Sequence, residues 1–361
     1  MPNTITRVHA RPVVAPFRIT PKAATGELTH AALALIDLET ADGITGRAYL
    51  FAFSPAMLPA VVATIDALSG LLIGDQLAPL ALEQKLRTRL RLIDTPGLVG
   101  LALSGLDMAA WDAHSKTLGL PLAQALGSNC QAVQAYNSCG LWIQKVATIA
   151  DAAEQLIAEG GFKGIKIRLG RTSAADDLAA VRAVKERIGD DIQLMSDFNQ
   201  SQSVSSALQR IRQLDDEGLY WIEEPIRHND NAGSAQITEA ARTPIQTGEN
   251  LTGDFELKCA IEAGAADYYM PDVQRIGGVS GWLRASALCH ASQLPMSSHL
   301  FPEFSVHLLA ASPTRHWLEF VDWAAPVLQH PVEVRDGMAQ VPQRPGAGIE
   351  WDEDAVKHFA A

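Results

Sequence analysis

The chain has 361 residues, 47% of them hydrophobic, which suits one large domain with a smaller one beside it. A formal net charge of −12 argues against a general affinity for nucleic acid or an anionic membrane, so an anionic small molecule would have to be met locally by a metal, Lys or Arg. Met1–Lys22 has no apolar core of signal-peptide length, and the most apolar long stretch, Met57–Gly74, is interrupted by Pro59, Thr64, Asp66 and Ser69, which excludes it as a membrane span.

From Val8 to about Ala52, strand-like runs such as Ala32–Leu38 are separated by a turn at Ala41-Asp42-Gly43. Helical stretches follow at Pro55–Leu72, Leu82–Leu92 and Leu101–Gly119. Strands followed by helices predict a small α+β domain over residues 1–128. From about Val133 the pattern becomes a strict alternation of strand and helix. One helix carries Leu178, Val181, Val184 and Ile188 and stops at Gly189; the next opens on Ser203 as N-cap, with Val204, Leu208, Ile211 and Leu214 along one face. Eight strand candidates end near Ser138, Arg168, Asp197, Glu223, Glu249, Asp272, His299 and Glu319. The expected fold is therefore α/β, a (β/α)8 barrel over residues 129–326. The segment 327–361, broken by Gly and Pro, is expected to return to the first domain. Cys130, Cys139, Cys259 and Cys289 show neither CxxC nor zinc spacing and read as reduced thiols of a cytoplasmic protein.

Three of the strand ends carry acids at one fixed interval: Asp197, Glu223 and Glu249 are 26 residues apart each time. That interval is about the length of one strand, one helix and two loops, so a repeated βα unit sets one carboxylate after another around the barrel mouth. Converging carboxylates repel unless a cation lies between them, and an all-oxygen set suits Mg²⁺ best, with Mn²⁺ as the alternative. In Gly164-Ile165-Lys166-Ile167-Arg168 the alternation sends Lys166 and Arg168 to the same side, so two cations enter the mouth from one strand. Asp272 and His299 end the sixth and seventh strands; an Asp held on a ring nitrogen fixes the tautomer of a His and makes it a better base.

The residues Lys166, Asp197, Glu223, Glu249, Asp272, His299 and Glu319 resemble the site of the enolase superfamily, and within it the mandelate racemase subgroup. The resemblance runs from about Arg11 to Trp351. It is carried by Ser196-Asp197-Phe198-Asn199-Gln200, Trp221-Ile222-Glu223-Glu224-Pro225, Gly248-Glu249-Asn250, Met270-Pro271-Asp272 with Ile276-Gly277-Gly278-Val279, Pro295–Phe301 and His316-Trp317-Leu318-Glu319. It implies a modified barrel under an N-terminal capping domain, a homo-oligomer (an octamer), and a Lys or His base working with Mg²⁺ on an ene-diolate. Asp197, Glu223 and Glu249 would hold Mg²⁺; the metal and Lys166 would bind the substrate carboxylate. His299, oriented by Asp272, would move the α-proton. Glu319, protonated, would donate to a carboxylate oxygen. Asn199 and Ser138 would line the site, and Glu224 would support the ligands from behind.

Two departures bear on the reaction. The mandelate racemase pattern has Lys where this chain has Arg168, and that Lys is one of two opposed bases. A guanidinium presents donors only and is a poor base, so Arg168 fits a binding or charge-stabilising role. The loop Thr20–His30, which closes over substrate in this family, carries Lys22, Thr25, Glu27 and His30, a polar set in which Lys22 and Thr25 become candidate contacts; Phe53 remains apolar. With a competent base on one face only, β-elimination is the natural outcome. The expectation is a dehydratase (hydro-lyase) of a polyhydroxy or sugar acid that forms a 2-keto acid. The alternative is a racemase or epimerase of a 2-hydroxy acid. A non-catalytic binding or assembly module is the reading from another class, and failure to take up Mg²⁺ would favour it.

Overall fold

The computed structural model describes residues 3–93 and 96–361. The chain opens with β1 (Ile5–Pro16), a short hairpin of β2 (Lys22–Ala23) and β3 (Gly26–Glu27), then β4 (His30–Thr40) and β5 (Thr45–Phe51). β4 lies antiparallel between β1 and β5. It is buried along almost its whole length because both of its faces are covered, which explains why Ala31–Leu38 is so nearly continuous in apolar residues. Helices α1 (Leu58–Ser69), α2 (Pro79–Leu90), α3 (Leu98–Thr117) and α4 (Leu122–Ala125) complete this unit, with α3 packed on β5 and α1. The loop Thr20–His30 of the sequence reading is thus a β-hairpin, and His30 already belongs to β4.

Strands β6 (Val133–Asn137), β7 (Gly164–Arg168), β8 (Gln193–Asp197), β9 (Leu219–Glu223), β10 (Ile245–Thr247) and β11 (Tyr268–Tyr269) pair in parallel and in chain order. Residues around Met296–His299 take the seventh position through parallel bridges to Tyr269 and Asp272, and β12 (Leu318–Phe320) closes the ring on β6. Helices α5 (Val146–Ala158), α6 (Ala174–Ile188), α7 (Val204–Leu214), α8 (Asn231–Ala240), α9 (Gly253–Ala263), the pair α10 (Val273–Ile276) and α11 (Gly278–Ala291), and α12 (Pro302–Ala310) fill the connections. Ser203 caps α7 in a reciprocal box with Ser206, and α6 ends at Gly189 with φ +69. Tyr136, Met195, Trp221 and Trp317 plug the barrel floor, leaving the C-terminal mouth as the open end.

Between β12 and the next strand the described chain forms only a single 3-10 turn, Ala325–Val327, and no α-helix. Instead β13 (Val334–Arg335) and β14 (Met338–Ala339) form a hairpin whose second strand pairs antiparallel with the start of β6. The chain then reaches α13 (Glu353–His358) and the first sheet. The Trp351 indole donates to Asp37 at 2.8 Å, Arg11 meets Glu353 at 2.7 Å, and the Val14 amide donates to the Phe359 carbonyl at 2.8 Å. The segment 327–361 therefore touches the barrel floor as well as the first domain. Among the described residues no helix is long and apolar enough to cross a membrane, and the four cysteines are unpaired.

Candidate active site

Each of β7, β8 and β9 ends in charge, and all of it turns inward. Asp197, Glu223 and Glu249 bring one carboxylate oxygen each to within 4.8 Å of one another. Glu249 is aimed by Gly248, whose φ of +132 favours glycine and whose absent Cβ would lie 2.9 Å from the Met270 amide nitrogen. Burial first, and then the neighbouring acids Asp197, Glu249 and Glu319, push Glu223 up to about 8 even though Lys166 opposes this. That is the electrostatic strain of a carboxylate triad, and a hard divalent cation bound by oxygen relieves it; the donor set fits Mg²⁺. Glu224 is buried behind the triad, with Asn250 donating to it at 2.7 Å.

Lys166 is wholly buried, with its Nζ 2.5 Å from Glu223, 2.7 Å from Glu319 and 3.7 Å from Asp197. Burial alone would lower its pKa, but Glu223, Glu319 and Asp197 reverse this and raise it, so the ammonium is firmly charged. The Arg168 guanidinium carbon sits over the Trp142 ring, 4.4 Å from its centroid, and Arg168 donates to Ser138 at 3.0 Å. Its Nε is 3.4 Å from an Asp197 oxygen, and its Nε and Nη1 are buried without a hydrogen-bond partner. Glu319 accepts from Ser138 and Lys166 at 2.7 Å and from the Leu300 amide at 3.0 Å. Burial opposes its ionisation, yet Lys166, His299 and Arg168 hold it below the usual carboxylate range. In this arrangement both Glu319 oxygens are taken up as acceptors, by Ser138, Lys166 and the Leu300 amide.

Asp272 caps α10, with one oxygen taking the Gln274 amide at 2.7 Å and the other 2.7 Å from His299 Nδ1. That leaves His299 Nε2 toward the triad, 3.4 Å from Glu249 and 3.9 Å from Glu319. Burial lowers the basicity of this imidazole, but Glu249, Glu319 and Asp272 outweigh it and raise the pKa to about 9. The backbone around the mouth is held in sparsely populated conformations: Phe53, Leu141, Asn199, Gln200, Glu224, Leu300 and Phe301 all have positive φ. Such clusters mark positions where surrounding structure over-determines the chain.

Of these groups Arg168, Asp197, Glu249, His299 and Glu319 open into a cleft of about 690 Å³, while Lys166, Glu223 and Asp272 stay buried beneath it. Thr25, Phe53 and Asn199 line it, as does Arg168. Lys22 does not: alternation along β2 turns Ala23 inward and leaves Lys22 exposed. Ser138 does not reach the open space either, because it is buried between Arg168 and Glu319. The wall is less polar than the loop sequence suggested, since Pro21 and Leu28 face inward and Trp142 and Trp323 flank them. Trp142, Gln200, Arg227, His228, Asn250, Arg275 and Trp323 were not anticipated. Gln200 and Asn250 directly follow anticipated residues, and only the rule that loops after barrel strands build the site could have drawn them in.

Residues 3–127 match the family described as "Mandelate racemase / muconate lactonizing enzyme, N-terminal domain", and residues 148–355 match "Enolase C-terminal domain-like". The chain is 32% identical to the L-talarate/galactarate dehydratase of Salmonella typhimurium over 91% of this chain and 82% of that one. An enolase from alpha proteobacterium BAL199 with bound magnesium superposes with a TM-score of 0.97 at 42% identity over 99% of both chains. An enolase from Bradyrhizobium complexed with magnesium and mandelic acid gives 0.95 at 37% identity, over 99% of this chain and 98% of that one.

Proposed function

From the premise that this chain belongs to the mandelate racemase and muconate lactonizing enzyme family of the enolase superfamily, we propose that it is a Mg²⁺-dependent dehydratase of a polyhydroxy carboxylic acid. The observation that carries this reading is an asymmetry across the mouth. One side offers an oriented base, His299 on Asp272; the other offers Arg168, stacked on Trp142 and tied to Ser138. Asp197, Glu223 and Glu249 are the proposed metal ligands. The bound Mg²⁺ would supply Lewis-acid stabilisation to the carboxylate as negative charge develops on it.

The chain's own groups do the rest. Lys166 and Arg168 set fixed positive charge around the carboxylate and its enediolate, in a buried site where such charge acts strongly. His299 acts in its neutral form, which the surrounding Glu249, Glu319 and Asp272 otherwise disfavour: Nε2 takes the α-proton while Nδ1–H stays on Asp272. The Cα–H electron pair forms the Cα–Cβ double bond, the Cβ–O bond breaks, and the proton on Nε2 is available to the departing hydroxyl. Water and an enol result, and the enol tautomerises to a 2-keto acid. Phe53, Trp142, Thr25 and Asn199 are the proposed walls of the substrate space. The deciding experiment incubates a panel of acid sugars and 2-hydroxy acids with the Mg²⁺-loaded protein, read in parallel for keto acid and for change in optical rotation. Keto acid from a sugar acid, abolished in His299→Asn while Mg²⁺ still binds, supports the proposal.

A racemase reading is favoured by one observation: an aromatic wall of Phe53, Trp142 and Trp323 that would suit an aryl 2-hydroxy acid, alongside the mandelic acid complex of the Bradyrhizobium protein. Racemisation of such an acid without keto acid would establish it instead. We further propose a cytoplasmic homo-oligomer, an octamer by resemblance; Leu92 and Phe255 are strongly exposed apolar side chains that an interface would cover, and light scattering tests the assembly.

A further inference from the structure

The cleft holds two guanidinium groups, Arg275 and Arg227, that form no ion pair among the described residues, although Glu27 also lines the space. Arg275 stands three residues past Asp272 on α10, with its guanidinium over the Phe53 ring, 5.0 Å from the centroid. Its Nε is buried and has no hydrogen-bond partner among the described residues. Among the described residues it is the one arginine short of full exposure that pairs with no acid; Arg11, Arg47, Arg87, Arg168, Arg171, Arg210 and Arg284 all do so. Arg275 also borders a small cavity beside α2 and α3, but the acids there are engaged elsewhere. Glu83 binds Arg87 at 2.5 Å and Arg284 at 2.8 Å, and Asp107 accepts twice from Ser280.

Two more groups face the same space. Arg227, exposed at the rim, has no ion-pair partner among the described residues. His228 is fixed by Gln200, whose Oε1 is 2.9 Å from its amide nitrogen and 3.0 Å from Nδ1, which leaves Nε2 open. Burial, with Arg275 and Arg227 nearby, lowers the His228 pKa, so it stays a neutral partner beside two fixed cations; Glu256, the acid that opposes this, is occupied by the Thr252 amide at 2.6 Å. A half-buried guanidinium without a partner is costly, and retaining one in a protein of net charge −12 makes sense if its counter-ion arrives with the ligand.

We propose that Arg275, with Arg227 at the rim, forms an anion subsite for a second carboxylate, so that the preferred substrates are dicarboxylic sugar acids held at both ends. This rests on the dehydratase reading for the inner end of the cleft, and a pair of inert probes separates the two claims. 2-Hydroxyadipate and 2-hydroxyhexanoate share the α-hydroxy acid, lack a β-hydroxyl to lose, and differ only in the distal carboxylate. Their binding to the Mg²⁺-loaded protein is read by the fluorescence of Trp142 and Trp323, which line the cleft. The expected result is tighter binding of the diacid. Arg275→Gln should weaken the diacid about 10- to 100-fold, the worth of a charge-assisted hydrogen-bonded pair, and leave the monoacid unchanged. Arg227→Gln, at an exposed position, should move the diacid in the same direction whatever the fate of the buried variant. Equal binding of both probes by the parent protein, or equal weakening of both probes by the substitutions, overturns the subsite. A diacid preference in a protein that dehydrates no sugar acid supports the subsite and overturns the dehydratase reading. Dehydration of monoacids and diacids alike, with no probe preference, does the reverse.

Discussion

Asp272→Asn isolates the orienting role of one carboxylate. In the parent both oxygens are acceptors, one from the Gln274 amide and one from His299 Nδ1–H, each at 2.7 Å. Asparagine offers one acceptor and one donor, so it can serve only one of them. If its NH₂ faces the Gln274 amide, two donors collide and a buried hydrogen bond is lost, at about 1–3 kcal/mol. If its NH₂ faces His299, the imidazole moves its proton from Nδ1 to Nε2 and accepts at Nδ1, which costs little. The second arrangement should dominate, leaving about 1–20% of molecules with a lone pair on Nε2. Loss of the negative charge behind the imidazole weakens the base further, so kcat should fall by about 10² to 10⁴, as when the orienter of a catalytic His is made neutral elsewhere. The assay is α-proton exchange in D₂O alongside keto-acid formation, with Mg²⁺ binding and thermal stability measured on the same sample. Both of the latter should stay near parental values. Activity above half of the parent, or loss of metal binding together with stability, would refute the reasoning.

Stripping the protein with a chelator should abolish turnover, and Mg²⁺ or Mn²⁺ should restore it; Glu249→Gln, which removes one charged oxygen of the triad, should weaken metal affinity measured by calorimetry. In D₂O the parent should exchange the α-proton of one configuration only, and Arg168→Lys should add exchange at the opposite configuration, read by NMR; equal exchange of both enantiomers by the parent would make Arg168 a base. Away from the chemistry, burial pushes the Asp107 carboxyl from its ordinary 3.8 up to about 7. Because the folded value is the raised one, its contribution is full below the unfolded pKa and is lost as pH rises to about 7, by about 4 kcal/mol in all. Asp107→Asn should flatten that part of the stability profile in urea titrations from pH 4 to 8, and an unchanged slope would contradict it.

The ring of strand ends was legible because each barrel strand carries a chemical marker at its C-terminal end, and the 26-residue spacing exposes the repeat. Lys166, Asp197, Glu223, Glu249, Asp272, His299 and Glu319 converge for that reason. Helix ends at Ser203 and Gly189 were equally readable, since capping is local chemistry. The outer cleft was not. Arg275 sits in a segment read for its Gly277-Gly278 pair, whose positive φ values turn α10 into α11, and nothing in sequence distinguishes an unpaired arginine from a paired one. The direction of Lys22 hinged on a single step of alternation in a two-residue strand, and the protonation of Glu319 on which cations lie nearest in three dimensions. The hairpin of β13 and β14 escaped because its two-residue strands carry almost no periodic signal.

The stitching of the chain's two ends has a consequence for how the protein is made. β1 is completed by the final residues: Val14 bonds to Phe359, Val13 bridges to Ala360, and Arg11 reaches Glu353, 342 positions away. A ribosome delivers the first sheet long before the segment that seals it, so the nascent N-terminal unit waits with that edge open while the whole barrel is synthesised. Contacts this distant in sequence slow folding, because the loop they close must form before they contribute. Sealing that edge therefore waits for residues 353–361, and their loss should leave a barrel that forms and a first sheet that does not settle.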